Sequence, residues 1–547
     1  MKHKILFVAL CVALAALFSV VIADAQGPQP RAPRANVGTA FTYQGQLKNG
    51  GAAVNGTCDF QFGLWDALTV GAQVGTTQTV SSVAVSNGLF TTPIDFGTNA
   101  FNGDARWLNI ATRCPAGGGS YTALNPRQEL TATPYALTAL KTAYKNVLVV
   151  AKSGGHYNTI SAALASITDN SASNRYLIWV APGTYTETVT MKQYVDIEGA
   201  GELATKITQT GNGSASTGTV VGANNAELRF LTVENTGGTD YDNATAIYNS
   251  SASPRLTHVT ANASGGITNN RGIYNTTSSP TMTEVTATGL GGWYAYGVYN
   301  YFSSPTMTNV TATSSGGTYN YGVRNDSSST TMTNVTATGS GGYENYGVHN
   351  VSSSLTMTGI TAIASGGGNN YGVYNANLSS PTMTNVVATA SAGTNNNYGV
   401  YNKDSSPTMT DVTATASGGS LSVGVYNEYS SPTMTNVTAK ASGGTNSTGV
   451  HNQQSSSPTI QNSTLSGSGG TNNYGIFNNA TGGTSTVRVN NSQITGSTNT
   501  IRNDSEFTTR IGASKLDGGA VNVNGGTVTC IGAYDENYTS PGYTTCP

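Results

Sequence analysis

General acid–base catalysis needs titratable side chains, often paired carboxylates, held close in space, so the acids and bases of this chain are the first place to look for chemistry. Between residues 246 and 478 there are few: Asp326, Asp404, Asp411, Glu284, Glu344 and Glu428, set against Arg255, Arg271, Arg324, Lys403 and Lys440. Most stand apart. The tight group is Lys403, Asp404 and Glu428, and Lys403 and Glu428 each follow an Asn that recurs along the chain, so the two should stack as a solvated ion pair of little energetic weight. His156 has no acid or cysteine near it in sequence, and His349 and His451 take a slot otherwise held by Tyr, so all three read as structural or surface residues. No Cys or His spacing suits a metal. We therefore read no catalytic residue, no cofactor and no metal site, and expect a function other than catalysis.

Two periodic arrays remain. One is Tyr248, Tyr274, Tyr299, Arg324, His349, Tyr374, Tyr401, Tyr426, His451 and Phe477, each beside a Val or Ile that strand alternation would bury. Its rings should point outward, which makes Tyr274, Tyr299, Tyr374, Tyr401 and Tyr426 candidate sugar-binding residues. The alternative is that the rings stack on one another and shield the strands. A second series, Tyr296, Tyr321, Tyr346, Tyr371, Tyr398 and Tyr474, follows from the same motif but could face either way, because a Gly intervenes.

The other array is threonine. Seven T-M-T segments, from Thr281/Thr283 to Thr433/Thr435, put two Thr outward per repeat, and V-T-A-T does the same on a neighbouring strand. Residues two apart on a strand are about 6.7 Å apart and stacked strands about 4.8 Å. That grid resembles the T-x-T faces of ice-binding β-solenoids, although Thr also simply suits an exposed strand.

These arrays imply the element that carries them. The anchors Asn249, Asn275, Asn300, Asn325, Asn350, Asn375, Asn402, Asn427, Asn452 and Asn478 recur every 25 to 27 residues. A constant period of this size marks one supersecondary unit stacked on its copies. Each unit offers three short β-prone runs, G-V-Y-N, P-T-M-T and V-T-A-T, separated by Ser, Gly and Asn. We therefore predict an all-β chain built on a right-handed parallel β-helix of about 25 residues and three strands per coil. Val298 should lie over Val323 and Val348, Met307 over Met332 and Met357, and Val310 over Val335 and Ile360. Asn309, Asn334, Asn385 and Asn436, just after T-M-T, suit a turn-side amide ladder.

Around this rod the chain divides further. Residues 1–25 read as an export signal: a basic start, an apolar run from Ile5 to Ile22, and Ala23-Asp24-Ala25 as cleavage site. A linker spans 26–38. Residues 39–140 show alternating strands such as "CDFQFGLW" and "RWLNIATRC", expected to form a small β-sandwich. The stretch 145–210 is the first part of the β-helix, 211–500 its coils with regular repeats at 246–478, and 501–547 the closing coil and cap. With Cys11 in the signal, four cysteines remain in two pairs, and an even count in an exported chain suggests disulfides Cys58–Cys114 and Cys530–Cys546, the other reading being free buried thiols.

Charged residues make up only 9% of the chain and the net charge is −2, so nothing steers it to nucleic acid. No segment after the signal could span a membrane as a helix.

The front domain resembles a module found at the start of secreted bacterial repeat proteins. More specific is "VLVVAKSGGHYNTISAALASITDN" followed by "YLIWVAPGTYTETVTM". These residues, 147–210, resemble the opening of the pectin methylesterase and pectin-lyase-like families, with "APGTYTE" (181–187) the most specific part. The resemblance implies a capping helix from about Thr159, with Ile160, Leu164 and Ile167 on one face, over the first coil. The methylesterase motifs of the "QDT", "DFIFG" and "GRPW" kind, and the G-H-G of galacturonan hydrolases, are not found. The expectation is thus a secreted or cell-surface, non-catalytic rod that binds surface glycan or has an adhesive or structural role, with polysaccharide or cell-surface components as partners. The alternatives are a pectin-type esterase or lyase, and ice binding through the T-x-T arrays.

Overall fold

The computed structural model describes residues 40–97, 100, 106–130, 146–211, 216–238, 243–479, 482–539 and 546–547. The proposed export signal and linker lie outside the described residues. Two units are present, the first ending at Ala143 and the second beginning at Tyr144.

In the first unit, four antiparallel strands pair in the order Gln73–Val85, Gly56–Trp65, Trp107–Arg113 and Thr122–Glu129, and Phe41–Gln46 pairs with Leu89–Ile94. Alternation supplies its core: Phe60 stacks on Phe62 at 5.9 Å and on Phe90 at 4.2 Å. Cys58 and Cys114 are bonded as expected. Buried Asp59 ties three segments, accepting from the Ser82 and Gly117 backbone N–H groups and from Arg113.

The second unit is the β-helix. Its G-V-Y-N strands form a parallel sheet of fourteen, while the T-M-T and V-T-A-T strands form the other two faces. At about 4.8 Å per step the stack is roughly 60 Å long. Register follows the repeat: Val298 over Val323 over Val348, and Met307 over Met332 over Met357. The Met column from Met282 to Met434 is wholly buried, as are the Val and Ala columns that face it.

Each coil turns at left-handed residues. The one after T-M-T is Glu284, Asn309, Asn334, Gly359, Asn385, Asp411 or Asn436, all with φ between 53° and 65°; at six of the seven corners it is Asn, Asp or Gly, the least strained choices there. The expected ladder at this corner forms between Asn334 and Asn309 (3.2 Å), and Asn436 bonds Asp411 at 3.0 Å.

A stronger ladder runs inside. The recurring anchor Asn points into the core, and its side-chain N–H donates to the amide oxygen of the next coil without interruption from Asn249 to Asn503, at 2.7–2.9 Å. A second, shorter ladder joins Asn320, Asn345, Asn370 and Asn397. Buried amides are tolerated because each finds its partner in an identical copy.

The helix forms where expected, Ile160–Ser166, with Thr159 as its N-cap accepting the Ala162 N–H. Ile160, Ala163, Leu164 and Ile167 are buried over the first coil. The Glu187 carboxylate accepts the N–H groups of Ile160 and Ser161 at 2.8 Å each, compensating the orphan donors of the first turn. Tyr185, 1% exposed, donates to the Ala181 carbonyl. The "APGTYTE" motif thus fastens the cap. At the other end Cys530–Cys546 is formed.

Candidate functional site

Three surfaces of the β-helix carry residues that could meet a ligand. The first is an ionic network on the early coils, on the same face as the T-M-T strands. Strand alternation in "YVDIEG" turns Asp196 toward Arg175, which holds both its oxygens at 2.9 Å. Glu198 and Glu227 close on Arg229 from adjacent coils, at 2.6 and 2.7 Å, and Glu227 also accepts from Thr257 and Arg255. This is the cross-coil pairing of carboxylates that the sequence reading sought only beyond residue 246. The signal was present in two-residue spacings, Asp196/Glu198 and Glu227/Arg229. Both acids are clamped by Arg229, so one would have to be released before it could take up a proton from water. Among the described residues no group of three or more His, Cys, Asp or Glu could hold a metal ion.

The second surface is the tyrosine row. Tyr296 pairs with Tyr321 and Val298 with Val323, and the register passes over Gly297. A side chain there would come within 2.6–2.8 Å of the Gly322, Thr313 and Ala312 backbone, so only glycine fits. Both tyrosine series pack together outside the interior core, Tyr296, Tyr321 and Tyr346 against Tyr299 and Tyr374 while Val298 joins the core, so the second series faces the same side as the first. The two series interleave: Tyr296 stacks on Tyr299 (4.9 Å) and Tyr321 (5.1 Å), and Tyr374 on Tyr401 (4.8 Å). Tyr274 stacks on Tyr299, and Tyr426 packs edge-on against Tyr401.

Ring faces on which a sugar would lie are therefore covered by neighbouring rings, leaving edges. Tyr426 is only 7% exposed. Hydroxyls are also engaged: Tyr299 donates to Asp326 at 2.8 Å, Tyr346 to Glu344 at 2.5 Å, and Tyr401 to Glu428. Burial pushes the phenols up, Tyr296 and Tyr374 to about 12. Arg324 takes the tyrosine slot, pairs with Asp326 at 2.9 Å and packs against the rings of Tyr299 and Tyr321. Lys403 and Glu428 stack in register, 3.6 Å apart, and Asp404 occupies a left-handed corner beside them. His156 accepts the Val149 N–H.

The third surface is the T-M-T face. Seven coils place Thr281, Thr306, Thr331, Thr356, Thr382, Thr408 and Thr433 in one exposed column, and Thr283 through Thr435 in a half-exposed second column. The two columns are extended by Thr459 and by Thr257. Within these seven coils no charge interrupts either column. The charges the sequence placed nearby fall elsewhere: Glu284 and Asp411 at the corner, Lys440 on the V-T-A-T face.

Residues 146–264 match the Pectinesterase family model, and residues 42–127 match a domain of unknown function. The coils fit a pectin-lyase-like β-helix.

Solved structures with similar chains include the A-modules of mannuronan C-5 epimerases AlgE6 and AlgE4 from Azotobacter vinelandii. For AlgE6 the identity is 15%, with 70% of this chain and 95% of that chain covered and a TM-score of 0.35. For AlgE4 the values are 13%, 71%, 94% and 0.31. Pectin methylesterase PemA from Erwinia chrysanthemi shows 10% identity over 54% of this chain and 90% of its own, with a TM-score of 0.25. No curated protein matches. The pectinesterase-like segment of the β-helix contains both the capping helix and the whole Asp196–Arg255 network.

Proposed function

We propose that the chain is an extracellular, non-catalytic β-helix rod that lies along a polysaccharide, with the T-M-T face as its contact surface. One observation carries this reading. All fourteen outward positions of the seven T-M-T strands are Thr, although the other faces of the same repeats have drifted. The V-T-A-T columns admit Ile363, Val387 and Lys440, and the tyrosine row admits Arg324, His349 and His451. If duplication and strand propensity alone set these residues, all exposed faces should vary alike. A flat strip of hydroxyls and methyls offers donors, acceptors and apolar contact at a fixed repeat, which suits a ribbon of sugar rings. The pectinesterase-like segment supports a polysaccharide as the partner. The two disulfides are compatible with an extracellular location, and among the described residues no helix is long and apolar enough to cross a membrane.

The test is retention of the purified chain on insoluble cellulose, chitin and pectin, with released product and methanol measured in the same tubes. Replacing Thr331, Thr356 and Thr382 together by Gln, which breaks the flat strip without adding charge, should lower retention about tenfold or more while leaving the melting temperature nearly unchanged, since exposed uncharged substitutions shift stability by roughly 0.5 kcal/mol or less. Retention untouched by these changes would sink the assignment of this face. Inhibition of ice growth by the wild type and not by the triple variant would move the same face to an ice lattice.

An enzymatic reading is favoured by a different observation, the Glu198–Arg229–Glu227 clamp within the pectinesterase-like segment. It predicts product release that falls at least a hundredfold in Arg229→Ala. Absence of product from every polymer tested would remove it.

A further inference from the structure

Beyond the regular repeats the T-M-T face changes character. The outer column that reads Thr433 and Thr459 continues as Arg488 and Arg510, paired in register on neighbouring coils. Both arginines are exposed. Like charges stacked directly opposite one another on adjacent strands repel, and an ordinary surface relieves this with a carboxylate. Here none is supplied. Among the described residues neither guanidinium has an ion-pair partner, whereas Arg175, Arg229, Arg255, Arg324 and Arg502 each have one. Arg271, the remaining arginine of the described β-helix, is buried against the Tyr274 ring.

The pair also lines a depression. A groove of about 620 Å³ lies over these coils, and its walls include Arg488, Arg510, Gln461, Asn490 and Ile531. Gln461 and Asn490 occupy the second outward column, beside the arginines, and are exposed. Two arginines on strands about 4.8 Å apart, with amides alongside, present a concentrated set of N–H donors, the arrangement that holds planar oxyanions in bidentate fashion.

We infer that the Arg488/Arg510 groove is an anion subsite for a carboxylate-bearing polysaccharide running off the end of the threonine face. The inference rests on the polysaccharide reading above and deepens it. The uncharged strip would hold the polymer through hydroxyls, and the terminal pair would favour chains that carry carboxylates over neutral ones. Carboxylate is preferred over other oxyanions because its planar two-oxygen edge matches the guanidinium fork.

The experiment uses one polymer backbone with and without charge. Binding of the full-length mature chain to carboxymethylcellulose and to neutral hydroxyethylcellulose is measured by affinity electrophoresis, with dextran sulfate and dextran as a second pair. The expected result is about tenfold or tighter binding to carboxymethylcellulose than to hydroxyethylcellulose, a preference that shrinks as salt rises. Arg488→Gln/Arg510→Gln should abolish the preference and leave binding to the neutral polymer unchanged. Arg488→Lys/Arg510→Lys should keep the charge and retain only part of it. Lys440→Gln, which removes a lone exposed cation elsewhere, should change nothing.

Equal binding of wild type to charged and neutral polymers would overturn the subsite while the polysaccharide reading stands. A preference that survives the double Gln variant would overturn it as well. Stronger selection of dextran sulfate over dextran than of the carboxylate pair would overturn the choice of carboxylate. If the wild type binds neither the charged nor the neutral chains, both inferences fail together. Because both side chains are exposed, the variants should melt with the wild type, and a circular dichroism melt confirms that a loss is not unfolding.

Discussion

Asn350→Ala is expected to destabilise the β-helix by about 4 kcal/mol, far more than the loss of one polar side chain at a surface. Asn350 is fully buried; it accepts from Asn325 at 2.9 Å and donates to Asn375 at 2.8 Å. Its removal leaves one N–H and one carbonyl without partners in a dry interior, each costing roughly 1–3 kcal/mol. Asn350→Asp keeps the shape but cannot donate to Asn375 when ionised. Burial raises the carboxyl pKa in the folded state, so this variant should be weakest near neutral pH and recover below the unfolded value of about 4. Because each coil touches only its neighbours, the damage should appear as lost hydrogen-exchange protection around residues 325–375 before the ends fray. Urea unfolding that shifts by less than about 1 kcal/mol would show that the ladder is incidental.

The second large effect is acid sensitivity from two histidines in the tyrosine row. His349 lies between the rings of Tyr346 and Tyr374, at 4.6 and 4.9 Å, with Arg324 on the preceding coil. His451 lies between Tyr426 and Phe477, at 4.7 and 4.6 Å. No hydrogen bond reaches Nδ1 of His349 or either ring nitrogen of His451. Burial depresses both, His451 to about 3, and Arg324 adds to the effect at His349. A depressed folded value means that the unfolded chain binds the proton first. The stability contributed by the neutral rings is therefore complete above about pH 6.5 and lost as pH falls from there toward 3. For His451 the full loss is on the order of 5 kcal/mol. His349→Tyr with His451→Tyr, restoring the repeat residue at both places, should flatten the stability profile between pH 7 and 4. An equally steep profile in the double variant would place the acid sensitivity elsewhere.

Much of this molecule could be read before any coordinates. The 25-residue step gave the coil, and alternation gave the buried Val and Met columns, because an apolar residue repeated at one slot has nowhere to go but the interior. The corner after T-M-T was legible from Asn chemistry. The anchor Asn was harder. It was recognised as the most constant residue, but a polar side chain placed by alternation has no reason to face inward until its partner in the next coil is counted. The recurring Gly before the buried Val flagged that the second tyrosine series could break alternation, but its direction was set by the close approach of neighbouring backbone at Gly297, which the local sequence does not show. The early ionic network lies largely ahead of the regular repeats, and its two-residue spacings, Asp196/Glu198 and Glu227/Arg229, were legible there. The Arg488/Arg510 pair was not, because Thr459 pairs with Arg488 across 29 residues and Arg488 with Arg510 across 22, so sequence spacing alone does not bring the two arginines together.

The Asn ladder also makes the regular coils interchangeable. From Thr281 to Thr435 each coil offers the next the same amide, the same Met and the same pair of outward Thr, so excising one 25-residue module within this stretch, such as 326–350, would rejoin like chemistry on both sides of the cut. The two steps of 26 and the one of 27 between anchors from Asn249 to Asn478 are taken up without breaking register. The gene can thus lengthen or shorten its product by unequal recombination in increments of about 4.8 Å, with both termini kept intact. Reach becomes a quantity that selection can tune by copy number, independently of the fold.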